Sequence, residues 1–478
     1  MYHGGTGVSC PTVGQLFRVP RWDSRIVSQD RTVNKPQIGL QYLSTLRPWN
    51  GSGGFALQNI SAVLKRLGDP QDAIPSIHVA GTNGKGSVSS AISSIFGQAG
   101  YRVGLNISPH LQNVNERIVI DGIAVADEFL GEFAYAVRAA AARELVDLSF
   151  HEVITAIAFL GFSEFGVEWS VMEVGLGGRL DASNVITRPA ATAIVTIDYD
   201  HQAILGESLR EIAAEKAGII KAGSPVVTGF LPKSAADVVS AKAKEHSSEL
   251  YRFSKEFGAH PVLSQDGARF GYWDKSAGNG VGDLFHFSTQ LPGDHQGHNM
   301  AVAAKLGLLV GIDKDSCRLG LEGVFWPGRL EKVSSLGREI VLDCAHNTAG
   351  IRAFISYLES RAERGIDLTF GVLDTKNWQA MIKQLIPYVG RWRLLKPESE
   401  RAIPDAQIQA EIEASCNGIS IRSYGSDYEG YLREVLEEDG DRPAYVLGSM
   451  YMVGRLRGML SIPIRAIWSK KGRNNTVL

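Results

Sequence analysis

The sequence has little cysteine, and its cysteines are scattered. The four residues, Cys10, Cys317, Cys344 and Cys416, include no Cys-x-x-Cys spacing. Structural zinc sites and disulfide frameworks both need cysteines at close and regular spacing. The scatter argues against a zinc site and favours reduced thiols, so we expect a cytoplasmic protein.

Long apolar runs and a strong net charge are also missing. No run approaches the roughly 18 apolar residues of a membrane span, so we expect no membrane contact. The formal net charge is −2, which gives no reason to expect a nucleic-acid partner. Residues 1–35 lack the apolar core of a signal peptide. Their arginines leave an organellar transit peptide open, but Asp23 and Asp30 favour a loose N-terminal extension.

The order of strand and helix patterns predicts an α/β fold. A chain of 478 residues exceeds one ordinary core, so we expect two or three domains. Apolar strands alternate with helical segments from residue 76 to residue 228, which is typical of a mostly parallel sheet of the P-loop type. A Gly-rich stretch at 249–290 predicts an antiparallel appendage. Beyond a hinge at 325–329, a second alternation predicts a smaller Rossmann-like domain without a Gly-x-Gly-x-x-Gly fingerprint.

A glycine-rich loop stands between the first predicted strand and a helix. Gly81, Gly84 and Gly86 have no Cβ, so backbone N–H groups can approach phosphate oxygens. Lys85 can neutralise β- and γ-phosphate charge, and the Ser87 hydroxyl can bind Mg²⁺. The spacing departs from the common P-loop, because a glycine separates the lysine from the serine. The predicted nucleotide-binding loop comprises Gly81, Thr82, Asn83, Gly84, Lys85, Gly86 and Ser87.

The loop variant Gly-Thr-Asn-Gly-Lys-Gly-Ser resembles the folylpolyglutamate synthase/dihydrofolate synthase branch of the Mur ligase superfamily. Further motifs follow in the family's order and, with the loop, span residues 39–456. Residues 1–35 are predicted to be an N-terminal extension, and the resemblance implies an ATP-binding, Mur-ligase-type central domain at 36–325. It also implies a C-terminal Rossmann-like glutamate-ligase domain at 326–478.

Glu173 ends an apolar predicted strand, where ligands of open α/β sheets gather. A carboxylate in apolar surroundings is costly unless it is paired or metal-bound, and a Glu bonded to backbone is the structural alternative. Residues 175–184, Gly-Leu-Gly-Gly-Arg-Leu-Asp-Ala-Ser-Asn, closely resemble a family motif. The resemblance implies that Glu173 binds Mg²⁺. It also implies that Leu180, Asp181 and Ala182 line the pteroate site, with Asp181 bonding the substrate.

His201 follows another predicted strand, within a stretch that resembles the family's Asp-His-x-x-x-Leu-Gly. The resemblance implies that His201 is a Mg²⁺ ligand, although imidazole is unusual for a hard cation. Lys216 matches the family's carbamylated lysine, which is an anionic ligand for a second Mg²⁺. Burial lowers the pKa of a lysine, and the neutral amine can then react with CO₂. Lys221 is the less favoured candidate, and a salt bridge from Lys216 to Glu215 is the structural alternative.

Four residues near or beyond the hinge complete the implied ATP site. Asn299, in Gly-Asp-His-Gln-Gly-His-Asn, is implied to read the adenine, and Arg329 is a candidate for phosphate contact. Asp343 and His346 belong to Asp-Cys-Ala-His-Asn, which resembles a family motif with Cys344 in place of glycine. The resemblance implies that Asp343 bonds the nucleotide and that His346 faces the junction of ATP and glutamate.

These features together predict an ATP-dependent amide ligase acting through an acyl phosphate. Its acceptor is dihydropteroate, the glutamate tail of a tetrahydrofolate, or both, and the added amino acid is L-glutamate. We expect Lys85, Lys216 and His346 to act in catalysis, with ATP as co-substrate and two Mg²⁺ as cofactors. A monomer is expected.

Two alternatives remain at this stage. The first is another Mur-type amino-acid ligase, against which Asn83 and Gly86 of the loop speak. The second is a nucleotide-binding regulatory protein without ligase activity. Glu173, His201 and Lys216 argue against it, because a switch needs no second metal.

Overall fold

The computed structural model describes residues 34–46, 57–262, 269–277, 282–416, 418–438 and 442–469. The predicted N-terminal extension lies outside this range apart from its last two residues. The helices are α1 (Lys35–Thr45), α2 (Gln58–Arg66), α3 (Lys85–Gln98), α4 (Asp127–Glu144), α5 (Phe150–Glu164), α6 (Gln202–Leu205), α7 (Leu209–Ala217), α8 (Lys233–Glu245), α9 (Asp294–Leu309), α10 (Lys314–Gly323), α11 (Thr348–Ser360), α12 (Trp378–Leu385), α13 (Asp405–Ser415), α14 (Tyr428–Glu437) and α15 (Met450–Met459). Within the described ranges, no helix combines the length and the apolar character needed to cross a membrane.

The strands form three sheets. They are β1 (Ser76–Ala80), β2 (Val103–Asn106), β3 (Ile118–Ile120), β4 (Ile123–Ala124), β5 (Trp169–Glu173), β6 (Ala191–Ile194), β7 (Val226–Thr228), β8 (Leu250–Arg252), β9 (Phe257–Pro261), β10 (Arg269–Asp274), β11 (Phe285–Ser288), β12 (Glu331–Ser335), β13 (Arg338–Leu342), β14 (Ile366–Phe370), β15 (Val389–Leu395), β16 (Ser420–Gly425) and β17 (Ala444–Leu447). The resulting α/β architecture, with a large and a smaller sheet domain, confirms the predicted fold class.

Eight strands form the large sheet in the order β4-β3-β2-β5-β1-β6-β7-β8. From β2 to β8 all neighbours run parallel, while β3 and β4 form an antiparallel hairpin at one edge. The central strands β1, β5 and β6 are buried along their full length, as their continuous apolar runs predict. Their carboxyl ends lie side by side, so that Val79 is opposite Glu173.

Helices cover both faces of this sheet. Successive side chains of a strand point to opposite faces, and β5 shows this directly. Val171 belongs to the core that contains Ile92 of α3 and Met300 of α9. Met172 belongs to the other core, together with Ile157 of α5. The sheet is therefore a buried central layer, and only its strand ends are open to ligands.

The antiparallel appendage is smaller than predicted. Its three strands, β9, β10 and β11, pair antiparallel within the predicted stretch. However, β8 at Leu250–Arg252 pairs parallel with β7 and extends the large sheet. Helix α8, which the sequence analysis did not predict, makes the crossover between β7 and β8. That crossover allows the parallel pairing, since parallel neighbours need a long connection.

The C-terminal domain contains a six-stranded sheet in the order β12-β13-β17-β14-β15-β16. Only β12 is antiparallel to its neighbour. The sequence analysis missed both edge strands of this sheet. In β16, at Ser420–Gly425, no side chain is buried, so the strand has no apolar run to reveal it. Edge strands are commonly polar in this way, because charge and polarity discourage further pairing.

The proposed boundary between residues 325 and 326 remains a prediction. Just beyond it, Trp326 is buried in the core of the large-sheet domain. Its ring fills the space beside Gly86, where a Cβ would lie 2.8 Å from the indole nitrogen. Trp468 belongs to the same core and donates from its indole nitrogen to the Ser93 Oγ over 2.9 Å. The chain therefore returns to the first domain near its end.

A buried ion pair fastens the appendage to α9. Lys305 of α9 donates to both carboxylate oxygens of Asp274 (3.1 and 2.9 Å) and to the Ser276 hydroxyl. The side chains of the pair are only 1% and 2% exposed. Removing one partner leaves the other charge buried and uncompensated, which is far more costly than the loss of an exposed pair.

We expect Lys305→Ala to lower the free energy of unfolding by about 3–5 kcal/mol, measured by urea denaturation. The matched control is Lys242→Ala, which breaks an exposed ion pair with Glu245 on one helix and should change stability by less than about 1 kcal/mol. Equal effects of the two substitutions would contradict the structural role of the buried pair.

Candidate active site

A large cavity opens at the carboxyl ends of the central strands, facing the C-terminal domain. Its volume is about 1290 Å³, and residues of both domains line it. The phosphate-loop residues, Glu173 and Lys216 contribute from the first domain, while Asp343 and His346 contribute from the second. The cavity thus brings together every residue that the sequence analysis selected: Gly81, Thr82, Asn83, Gly84, Lys85, Gly86, Ser87, Glu173, Leu180, Asp181, Ala182, His201, Lys216, Asn299, Arg329, Asp343 and His346.

The phosphate loop has the backbone geometry that its glycines require. Gly84 has a left-handed φ of 81° and precedes the first turn of α3, which has no side-chain cap. A Cβ at this position would meet the Asn299 Oδ1 at 2.6 Å. Uncapped N–H groups at the start of a 14-residue helix provide donors for an anion. The Lys85 ammonium folds over the loop and donates to the carbonyls of Gly81 (3.0 Å) and Thr82 (3.2 Å).

Glu173 and Ser87 offer oxygen atoms beside the loop. Glu173 is 4% exposed, and burial raises the pKa of its carboxyl to about 7, although Lys85 nearby opposes the rise. The Ser87 hydroxyl is buried and has no hydrogen-bond partner among the described residues. An orphaned hydroxyl and a carboxylate that line the same cavity suit Mg²⁺, which prefers oxygen ligands and keeps several from water and phosphate. In line with this sparse donor set, the described His, Cys, Asp and Glu side chains form no cluster of three that encloses a metal.

Lys216 is buried beside the same loop. Its ammonium donates to the Gly81 carbonyl over 3.0 Å. Burial lowers the pKa of its amine to about 7, and the charge of Lys85 lowers it further. Lys216 does not form the alternative salt bridge with Glu215. Glu215 pairs with Arg179 instead, over 2.9 Å. Lys221 bonds the Asn184 carbonyl over 3.3 Å and is not part of the cavity lining.

His201 lies at the rim of the cavity in a left-handed conformation. Its φ is 51°, and it immediately precedes the short helix α6. Burial, together with the charge of Lys376, lowers the pKa of the imidazole to about 4. The ring is therefore neutral at physiological pH, as a metal-binding imidazole must be.

Asp181 lines the cavity, but its carboxylate is already fully engaged. One oxygen accepts from Gly175 and Leu176 N–H groups, both at 3.0 Å, and from the His151 ring at 3.2 Å. The other accepts from the Ser183 N–H (3.0 Å) and hydroxyl (2.5 Å). A carboxylate has about four lone-pair positions, so little capacity remains for a substrate. The direct bond from Asp181 to the substrate stays a prediction, and the hydrogen bonds of its carboxylate tie together this part of the cavity wall.

Asp343 and Arg329 stand where the C-terminal sheet meets the cavity. Asp343 follows β13 and accepts from the N–H groups of Leu330 (2.9 Å) and Ala345 (2.8 Å). Burial raises the pKa of its carboxyl, although Arg329 opposes the rise. The Arg329 side chain donates to the Gly328 carbonyl over 2.9 Å. Arg329 thus reaches the cavity from the segment that joins the two domains, and Asp343 reaches it from the C-terminal domain.

Asp200 of the first domain bonds to the C-terminal domain, and the sequence analysis did not select it as a site residue. Its carboxylate accepts from Lys376 over 2.7 Å and from Asn347 over 3.0 Å, both in the C-terminal domain. Asn347 also exchanges two 3.0 Å hydrogen bonds with Asn83 of the phosphate loop. His346 lies nearby, with Nε2 3.9 Å from the Asp200 carboxylate. Lys376 and Asn347 both follow strands of the C-terminal sheet, but nothing in the sequence links them to Asp200, which lies 176 and 147 positions away.

Comparison with known proteins places this geometry in context. A model of the Mur ligase middle domain matches residues 79–307. The folylpolyglutamate synthase of Lacticaseibacillus casei is 35% identical over 416 residues, covering 84% of this chain and 94% of the relative. The dihydrofolate synthase/folylpolyglutamate synthase of Bacillus subtilis is 32% identical, with the same coverage. A solved complex of a folylpolyglutamate synthase with AMPPCP and folate has a TM-score of 0.74, with 31% identity over 89% of this chain and 99% of that one.

We expect Lys85→Ala to leave a folded protein whose ATP-dependent turnover falls by about 10²–10³-fold, the usual effect of losing one donor to developing charge. The exposed Lys244→Ala on α8 is the control and should keep wild-type turnover. Steady-state kinetics and circular dichroism provide the measurement. Turnover of Lys85→Ala at the wild-type rate would show that the loop does not handle the phosphates.

Proposed function

The chain belongs to the folylpolyglutamate synthase/dihydrofolate synthase family of ATP-dependent ligases, and we propose that it joins L-glutamate to dihydropteroate, to the glutamate tail of a tetrahydrofolate, or to both. The observation that carries this proposal is the single cavity that unites the phosphate loop and Glu173 with Asp343 and His346. A ligase needs a phosphate site and a site for the incoming amine on opposite walls of one chamber.

The reaction that suits this chamber has two steps. A carboxylate oxygen of the acceptor attacks the γ-phosphorus of ATP, the bond to the β-phosphate oxygen breaks, and ADP leaves. The α-amine of glutamate then attacks the acyl-phosphate carbonyl, loses a proton, and releases phosphate. Lys85 and the N–H groups at the start of α3 stabilise charge on the transferring phosphoryl group. Closure of the two domains keeps water from the acyl phosphate.

We assign the remaining nucleotide contacts by position. Asn299 touches the phosphate loop at Gly84 and reads the adenine. Arg329 contacts the phosphates, and Asp343 bonds the nucleotide from the C-terminal domain. His346 faces the junction of ATP and glutamate. Its Nδ1 lies 2.8 Å from the Cys344 carbonyl, which leaves Nε2 as the nitrogen directed away from its own loop.

We infer two Mg²⁺ sites from the donors that line the cavity. Ser87 and Glu173 would hold one ion. His201 and a carbamylated Lys216 would hold the second. Bound there, the ions would neutralise phosphate charge and orient the γ-phosphoryl group. The domain limits 1–35, 36–325 and 326–478, the monomeric state and the cytosolic location are further parts of this proposal.

The activity itself is tested by incubating the purified protein with ATP, L-glutamate and either dihydropteroate or tetrahydrofolate. Mass spectrometry of the products should show one added glutamate on at least one acceptor, with ADP and phosphate formed in equal amounts. Comparison of the two acceptors separates first addition from chain extension. ATP consumption that requires a cell-wall precursor instead would favour another Mur-type ligase. Nucleotide binding without ligation would favour a regulatory protein.

We expect Lys216 to be carbamylated, because its buried amine has a pKa of about 7 and the neutral amine adds to CO₂ with loss of one proton. Incubation with ¹³C-bicarbonate should give a carbamate carbon signal by NMR. Lys216→Ala should abolish both this signal and ligation, and a short carboxylic acid should partly restore activity by supplying the missing oxygens. Lys216→Arg should not be rescued, because its guanidinium keeps a positive charge in the site.

The matched control for carbamylation is Lys221→Ala, which removes the neighbouring lysine outside the cavity. It should retain the ¹³C signal. A plain ammonium at Lys216 in a high-resolution structure with Mg²⁺ and nucleotide bound would refute the assignment, as would loss of the signal only in Lys221→Ala.

A further inference from the structure

The chain crosses between the two domains twice, and the second crossing follows the last helix. Ile462 packs against a core of the C-terminal domain, and its N–H bonds the Arg457 carbonyl of α15 over 2.9 Å. Only a few residues later, Ile467 and Trp468 lie in the core of the large-sheet domain. Residues 462–468, which we name the second tether, thus join the cores of the two domains by a short span.

Trp468 anchors the second tether in a slot on α3. The residue is 2% exposed, and its indole nitrogen donates to the Ser93 hydroxyl over 2.9 Å. The slot exists because two of its neighbours are glycines. A Cβ at Gly97 would lie 2.2 Å from the indole ring, and one at Gly122 would lie 2.4 Å from the Trp468 carbonyl oxygen. A side chain at Gly97 would therefore expel the indole from a close-packed site.

Hydrogen bonds fasten the backbone around this anchor. The Ile467 N–H donates to the Gly122 carbonyl over 2.8 Å, and the Gln98 side chain donates to the Ser469 carbonyl over 2.9 Å. The Ile467 carbonyl accepts from the Phe325 N–H over 2.8 Å. Phe325 lies at the start of the first crossing, so the two crossings leave the large-sheet domain side by side.

Both crossings are short. The first runs from Trp326, in the core of the large-sheet domain, to Leu330, in a core of the C-terminal domain. The second runs from Ile467 back to Ile462. An extended chain covers at most about 3.6 Å per residue, so the ends of these spans can separate by roughly 14 Å and 18 Å. A single span lets a domain swivel about it, whereas two spans side by side oppose that rotation.

The anchor rests on the helix that follows the phosphate loop. α3 begins at Lys85, and Ser93 and Gly97 lie roughly two and three turns further along it. Under the proposed function, the acyl phosphate forms beside this helix and meets glutamate from the C-terminal domain. Swivelling of that domain would open the cavity to water, and hydrolysis would then compete with amide formation.

We propose that the second tether keeps the C-terminal domain aligned with the phosphate loop, and that Trp468 is a positioning residue for ligation. The positioning role rests on the proposed function and deepens it, whereas docking of the tether does not depend on that function. Release of the tether leaves the groups around the phosphates in place but lets water reach the acyl phosphate. Water then cleaves it to the original carboxylate, phosphate and a proton, so ATP is consumed and no amide forms.

Two substitutions release the anchor from opposite sides. Gly97→Ala fills the slot and leaves the tether unchanged. Since alanine favours a helix more than glycine does, a purely local effect would leave α3 at least as stable. Trp468→Leu removes the indole and leaves α3 unchanged. The matched control is Gly323→Ala in the last turn of α10, where the nearest contacts of a Cβ would be 3.9 Å away.

Docking is measured by limited trypsin digestion, with cleavage after the exposed Arg465 followed by mass spectrometry. Because proteolysis tracks the population of the open form, we expect Gly97→Ala and Trp468→Leu each to raise this rate about tenfold. Gly323→Ala should cleave at the wild-type rate. Adding Gly97→Ala to Trp468→Leu should change the rate little further, because the slot is already vacant. Circular dichroism should confirm the fold of each variant.

The positioning role is measured as the ADP formed for each glutamate joined. The two amounts should be equal in the wild type and in Gly323→Ala. In Gly97→Ala and Trp468→Leu the ADP should exceed the joined glutamate at least about twofold, because water competes for the intermediate. A tether that only covers the core of the large-sheet domain would change the stability of the protein and leave this ratio at its wild-type value.

Wild-type rates of trypsin cleavage in both Gly97→Ala and Trp468→Leu would overturn the docked tether. Faster cleavage with equal amounts of ADP and joined glutamate would overturn the positioning role. An equal effect of Gly97→Ala with and without Trp468→Leu would overturn the anchor, because the two positions would then act independently. Absence of ligation by the wild type on either acceptor would overturn the proposed function, and the trypsin rates would still decide whether the tether is docked.

Discussion

The closed cavity depends on one buried carboxylate, Asp200, that the two domains share. Its side chain is 9% exposed and its partner Lys376 only 8%, so neither charge is well hydrated while the domains are together. A buried ion pair gains little over its two hydrated partners, because desolvation offsets most of the attraction. Separation of the domains would return both groups to water. The contact therefore helps to set how the two domains face the cavity while adding little to the free energy that holds them together.

The phosphate site holds groups that burial drives towards neutrality. The pKa of Glu173 is raised to about 7 and that of Lys216 is lowered to about 7, with desolvation the main cause in both. Both shifts show that the ionised forms of these side chains are poorly stabilised by the protein alone. Phosphate oxygens and cations are the counter-charges that such a site lacks. Nucleotide binding should thus stabilise the fold by mass action, since the bound state relieves a desolvation cost that the protein carries by itself.

The fold was predictable from sequence where burial leaves an apolar run. Strands β1, β5 and β6 are buried on both faces, and each has the mostly apolar sequence that such burial requires. The edge strand β16 exposes its side chains and gave no such signal. Residues of the candidate site were predictable where a strand end and a motif mark them, as at Glu173. The partners of Asp200 were not, because Lys376 is 176 positions away and only the packing of two domains brings it near.

The motif indicated that Asp181 lines the site, but it could not reveal the hydrogen bonds that surround the Asp181 carboxylate. Some of these bonds come from its own loop, such as that from the Gly175 N–H, and one comes from His151 of α5. His78 of β1 contributes indirectly, because its ring is bonded to the Ser183 hydroxyl that donates to Asp181. Only the packing of β1 and α5 against this loop brings the two histidines near it. Asp181 and its partners belong to the first domain, whereas Asp343 and His346 belong to the second. Under the proposed function, the acyl phosphate forms at the phosphate loop of the first domain and meets glutamate only when the domains close, which ties the reactive intermediate to the state that excludes water.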